Sequence, residues 1–141
     1  MGRKSQAIGR TGEDIAMIAL RTKGVQMVEQ IATPITITAR QGVWVQYTYK
    51  QKVSGDFRGI MPGGRRVLAE VKTCTDRLVY SRLEPHQVEA LDENHKLGGV
   101  SLLVMVSDIN YVVMRWPIAG FGPRKSITAI DAFNHEWDGW T

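Results

Sequence analysis

The chain has 141 residues, 43% of them hydrophobic, and a formal net charge of +4. It is long enough to bury one core without staples, and its single cysteine, Cys74, excludes a disulfide scaffold. The longest apolar run, residues 100–106, is too short to span a bilayer, and Ser5 to Arg10 supply no apolar segment for a signal peptide, so a soluble cytoplasmic protein is expected. Charge is uneven: residues 1–83 hold 14 Lys/Arg against 6 Asp/Glu, whereas residues 84–141 hold 4 against 8. A basic half points to a polyanionic partner, and an uneven solvated surface would look the same.

In chain order, residues 1–10 read as a loose basic tail, and residues 11–141 as one domain. Thr11, with Glu13 and Asp14 behind it, is a helix-start signal; Ile15, Ile18 and Ala19 mark one helical face, and Gly24 ends the helix near Thr22. Val25 to Ile31 reads as a strand. Ile35 to Thr38 and the alternating Val43 to Tyr49 form a hairpin over a turn at residues 39–42. Asp56 to Met61 and Arg65 to Val71 are strands joined by Pro62-Gly63-Gly64. Pro85 opens a second helix, stopped by Gly98-Gly99. Gly99 to Val106 is a strand buried on both faces, followed by a strand at Tyr111 to Trp116. Ser126 then caps a last short helix running through Trp137. This order defines a mixed α/β (α+β) domain.

Glu70-Val71-Lys72 is the most informative tripeptide. Residues two apart on a strand share a face, so carboxylate and ammonium point into one space. A turn centred on Gly63 pairs 61 with 65 and therefore 56 with 70, which sets Asp56 opposite Glu70 with β-carbons about 4.5–5.5 Å apart. Facing carboxylates call for a cation, and Mg²⁺ is held by one or two carboxylates with waters and phosphate. Lys72 beside it suits charge stabilisation in phosphodiester hydrolysis. Equally, the acids could pair with Arg58, Arg65 or Lys72 on a solvated hairpin. His86, His95, His135 and Cys74 lack zinc spacing. Trp44, Tyr47 and Tyr49 could stack on bases or serve as core. Arg65 and Arg66 could reach phosphates or form a solvated tip.

Ser54-Gly55-Asp56, thirteen residues, then Glu70-Val71-Lys72 resembles the PD-(D/E)XK nuclease motif, with Gly55 in the proline slot. Gly12-Glu13-Asp14, Thr33-Pro34-Ile35, Glu84-Pro85-His86-Gln87, Leu97-Gly98-Gly99-Val100 and Arg124-Lys125-Ser126-Ile127 follow in the order seen in RecU-type Holliday junction resolvases. The resemblance implies a restriction-endonuclease-like mixed sheet flanked by helices, with residues 35–49 in the place of a protruding stalk. It implies Asp56, Glu70, the Val71 carbonyl and Glu13 as ligands of Mg²⁺ (or Mn²⁺), with Asp14 competing with Glu13. It implies Lys72 as the catalytic lysine and Gln87 as the residue orienting water or the lysine. The expected activity is paired nicking of four-way DNA junctions by a homodimer, with Arg10, Arg40, Lys50, Lys52, Arg65 and Arg66 contacting DNA. Flap, mismatch or duplex-end cleavage, or a DNA-binding accessory without cleavage, are the alternatives.

Overall fold

The computed structural model describes residues 2–31, 35–40, 43–49 and 56–139, and describes side chains for residues 12–31 and 56–139. The first helix, α1 (Gly2–Thr22), begins nine residues ahead of the Thr11 signal. Residues 2–10 are thus helical and not a loose tail. Arg3, Lys4, Gln6 and Ala7 are good helix formers and no proline interrupts them, so the helix-start signal at Thr11 is overridden. Gly24, at a φ of +95°, ends the helix where expected.

Five strands build the main sheet: β1 (Gln26–Gln30), β4 (Phe57–Ile60), β5 (Arg66–Thr73), β7 (Val100–Val106) and β8 (Tyr111–Arg115), side by side in that order. Only β5 and β7 run parallel, because α2 (Pro85–Lys96) carries the chain back between them; the other neighbours are antiparallel. Between β1 and β4 in sequence, β2 (Ile35–Arg40) and β3 (Val43–Tyr49) pair as a separate two-stranded sheet.

The sheet has a core on each face. Ala16, Ala19 and Leu20 of α1 pack over Val67, Ala69, Leu102 and Val104. Leu91 of α2 packs on the opposite face with Leu68, Leu103 and Met105. β7 feeds both cores and is buried along its whole length, as an uninterrupted apolar strand requires. Its one polar residue is satisfied: Ser101 Oγ donates to the Leu91 carbonyl at 2.6 Å and accepts from Asn94 Nδ2 at 3.1 Å. This buried pair of bonds fixes α2 on the central strands.

The end of the chain departs from expectation. Residues 126–128 form β9 (Ser126–Thr128), antiparallel to β6 (Arg77–Val79), and the helix after it, α3 (Ala129–Ala132), is a single turn followed by a 3₁₀ turn. Thr128, not Ser126, is its cap: its hydroxyl accepts from the Asp131 amide at 3.1 Å. Trp137 is buried in the α1-side core. No helix among the described residues is long and apolar enough to cross a membrane.

Candidate active site

The β4–β5 hairpin follows the register its turn dictates: Ile60 pairs with Arg66, Arg58 with Leu68 and Phe57 with Ala69. The expected step to Asp56 opposite Glu70 is not taken. The Asp56 amide donates to the Ala69 carbonyl at 2.9 Å, so Asp56 and Phe57 both address Ala69. Two residues against one is a β-bulge, a device that re-aims a side chain. Here it turns the Asp56 carboxylate along the edge of β5, where Oδ2 accepts from the Val71 amide at 2.7 Å. In a strand the N–H and C=O of one residue point to the same side. The Val71 carbonyl therefore faces the edge that Asp56 occupies.

Glu70 points to the other core, beneath α2, and is only 2% exposed. A carboxylate so shielded from water is costly unless hydrogen-bonded and charge-compensated. Gln87, at the start of α2, donates from Nε2 to Glu70 Oε1 at 2.6 Å. Its Oε1 accepts from the Glu84 amide at 2.8 Å, half of a capping box in which Glu84 is the cap. The spacing Glu84-x-x-Gln87 is a readable capping signal, though only the fold places it beneath β5. Lys72, two residues along β5, shares the Glu70 face and is half-buried.

Glu13 stands apart from this group. It belongs to α1, on the opposite face of the sheet, and its Oε2 accepts from Gln30 Nε2 at 3.2 Å. The helix comes close to the same end of β5, because Gly12 leaves space that a β-carbon would fill, 2.8 Å from Thr73 Cγ2. Glu13 and Asp14 are both exposed, and Glu13 is the one tied to the sheet. Among the described residues no three His, Cys, Asp or Glu side chains form a group that could hold a metal ion. The expected set of three carboxylates is therefore not assembled. The two carboxylates of Asp56 and Glu70 and the Val71 carbonyl remain hard oxygen donors of the kind Mg²⁺ takes, and one or two carboxylates suffice for it.

The basic residues are distributed as follows. Arg65 Nε donates to the Gly98 carbonyl at 3.2 Å, and Arg66 is exposed on β5. Arg58 is paired with Glu29 at 3.0 Å rather than with the acids of the motif. Lys50 and Lys52 lie outside the described residues, as do the side chains of Arg10, Arg40, Trp44, Tyr47 and Tyr49. Cys74, just beyond β5, is half-buried. Burial pushes its thiol pKa up, and the Arg82 guanidinium pulls the other way. Arg82 also donates to the Thr73 carbonyl, which ties the segment after β6 to the end of β5.

No protein-family model matches the chain, and a search of curated proteins finds no match to it.

Proposed function

We propose that this chain is a metal-dependent endonuclease that hydrolyses DNA phosphodiesters, as its resemblance to the PD-(D/E)XK nucleases implies. The observation that carries the reading is the Asp56–Val71 bond at 2.7 Å. It puts a carboxylate and a backbone carbonyl on one edge of the strand that also bears Glu70 and Lys72. Asp56, Glu70 and the Val71 carbonyl would hold Mg²⁺, which when bound supplies Lewis-acid stabilisation of charge on the phosphate. Lys72 offers an ammonium to the phosphate oxygens as negative charge builds on them. Gln87 holds Glu70 in one orientation. In the hydrolysis, water adds to phosphorus and releases a proton to solvent as one P–O ester bond breaks, and the departing oxygen takes up a proton from solvent.

The preferred substrate is a four-way junction, and the preferred assembly a homodimer, since two opposed nicks need two sites related by a two-fold axis. The compartment that fits is the cytoplasm. A second reading, a DNA-binding accessory without cleavage, draws on the same bond: Asp56 already has a structural partner in the Val71 amide. Labelled four-way junction, flap, duplex and single strand, incubated with and without Mg²⁺, separate the two. Mg²⁺-dependent paired nicks in the junction are expected. Binding with no cleavage of any substrate, at any Mg²⁺ or Mn²⁺ concentration, would leave the accessory.

A further inference from the structure

We infer that the nucleic-acid strand approaching Lys72 lies in the groove beside α2, over β4 and β5, and is held there through its phosphates by Arg58 and Arg66. The inference rests on the nucleic-acid reading proposed above, and its argument is the layout of one face of the sheet. Arg58 pairs with Leu68 and Ile60 with Arg66, so these four share a face. By alternation along β5, Glu70 and Lys72 share it too. Leu68 belongs to the core beneath α2, which identifies the face.

α2 packs on β5 and β7, and beside it the described residues of β4 and β1 on this face are exposed. The side chains of Arg58 and Glu29 are 60% and 56% exposed, and Ile60 and Met27 are exposed as well. A cleft of about 300 Å³ runs over Met27, Glu29, Arg58, Ile60 and Arg66. A second, of about 580 Å³, lies between the β4–β5 turn and α2, over Arg65, Arg66, Leu68, Ala90 and Asn94. Arg66 forms a wall of both.

The second cleft leads to the site. Gln87, Ala90 and Asn94 follow helical spacing along one side of α2. Gln87 reaches Glu70, while Ala90 and Asn94 line the cleft with Leu68 and Arg66. Arg66 and Glu70 are four strand residues apart, about 13 Å at roughly 3.3 Å per residue. A cationic approach thus adjoins the carboxylate centre on the same strand.

Charge selects the occupant. Arg58, Arg65 and Arg66 border the clefts against two acids, Glu29 and Glu93. The Arg58–Glu29 pair is exposed, and such pairs are weak, so a phosphate replaces Glu29 at small cost. Ile60 and Met27 give sugars and bases an apolar surface beside the cations. A phosphodiester strand has both features.

The test compares Arg58→Gln/Arg66→Gln with a charge-matched control, Lys96→Gln/Lys125→Gln, whose residues are exposed elsewhere. Binding to labelled duplex and junction is measured over a salt series without divalent metal, and steady-state cleavage with Mg²⁺. The arginine pair should weaken binding by about ten-fold or more, and flatten the plot of log K against log salt by about 1.4 to 1.8. It should raise KM while leaving kcat nearly unchanged, the pattern of lost uniform binding. Equal affinity and slope in the arginine and control variants overturns the inference, and does so with the nuclease reading intact if wild type cleaves. Loss of binding in the arginine pair, with no cleavage by wild type, supports the groove and removes the nuclease reading. Unchanged DNA binding with an altered oligomeric state assigns the groove to a second copy of the chain. Absence of DNA binding by wild type overturns both.

Discussion

Gln87 joins two things that are separate in sequence: its Nε2 donates to buried Glu70 at 2.6 Å while its Oε1 accepts from the Glu84 amide at 2.8 Å. The start of α2 and the central carboxylate are held by one side chain. Gln87→Ala should cost about 1 kcal/mol for the lost cap. Leaving a buried acceptor short of a donor adds about 1–3 kcal/mol. Thermal unfolding should register a fall of several degrees.

Gln87→Glu separates the two roles. It keeps the acceptor for the Glu84 amide but sets a second carboxylate against Glu70. Like charges sharing a site raise the affinity of one of them for a proton. Folding of the variant then takes up a proton, so its stability is highest at low pH and falls as pH rises through the raised pKa. The gap in melting temperature between wild type and Gln87→Glu should be wide at about pH 8 and narrow at about pH 5. A gap that does not change with pH would mean the two carboxylates do not meet.

Metal binding is read without catalysis. A cation held by Asp56 and Glu70 binds the folded state alone, so Mg²⁺ or Mn²⁺ at about one hundred times its dissociation constant should add about 2.7 kcal/mol of stability. Asp56→Asn keeps an oxygen for the Val71 amide yet removes the charge. It should therefore fold while losing most of the metal-induced rise in melting temperature. An undiminished rise places the metal elsewhere.

Lys72→Ala should lower cleavage by about a hundred-fold or more, as loss of a charge-stabilising group does. DNA affinity should stay within a few-fold, because phosphate contacts are spread over many cations. Lys72→Arg keeps the charge but exchanges a compact ammonium for a planar fork, and should rescue binding more than turnover. Full nicking by purified Lys72→Ala would remove the lysine from the reaction.

These residues also mark where local pattern stops carrying structure. Pro62-Gly63-Gly64 states its own turn, and with it the register of β4 on β5 from Ile60↔Arg66 to Phe57↔Ala69. Pro85 and the Gly98-Gly99 pair likewise bound α2, and unbroken apolar residues identify β7. The bulge at Asp56 has no such signature. It arises where β4 ends, and it exchanges the expected face-to-face carboxylates for a carboxylate on a backbone amide. The pairing of β6 with β9 joins Arg77 to Thr128, about fifty residues apart, through strands of three residues each. Strands so short hold no detectable alternation, and their partners are chosen by the core beneath them. Glu13 shows the same limit: Thr11 reads as the helix start and sets Glu13 in the first turn, whereas α1 begins at Gly2 and the bond of Glu13 to Gln30 depends on how α1 crosses β1.

Cys74 gives a pH-dependent probe of the end of β5. Burial raises its pKa, so the thiol stays protonated at pH values where an ordinary cysteine begins to ionise. Alkylation by iodoacetamide should accelerate only at higher pH than in a model peptide. Arg82 pulls the pKa down, and Arg82→Gln should shift the profile further upward. The linked stability is complete below the ordinary thiol pKa and declines as pH climbs from there toward the raised value. A profile matching the free peptide would mean that Cys74 is more open than its packing indicates.

The hairpin β2–β3 can be removed as a unit. Its strands pair with each other and with none of the five strands of the main sheet. The chain leaves and re-enters that sheet at adjacent points, since the Ile31 amide donates to the Asp56 carbonyl at 2.8 Å. Ile31 and Asp56 can therefore be joined by a two-residue turn such as Asn-Gly, which matches the twist of antiparallel strands. Replacing residues 32–55 in this way retains the core residues named above and Glu70, Lys72 and Gln87. The shortened protein should fold with nearly the wild-type melting temperature. Under the proposed nuclease reading, a centre built from Asp56, Glu70 and Lys72 would meet one phosphodiester and could not sense a branch, so recognition of a crossover would have to come from elements away from it. The excised segment carries Arg40, Lys50 and Lys52, cations suited to the crowded phosphates at a branch point. At fixed salt, excision should weaken junction binding by about ten-fold more than duplex binding and leave duplex nicking in place. Equal losses on the two substrates would reduce the hairpin to a nonspecific contact. Retained junction preference would instead assign branch recognition to the geometry of the proposed homodimer.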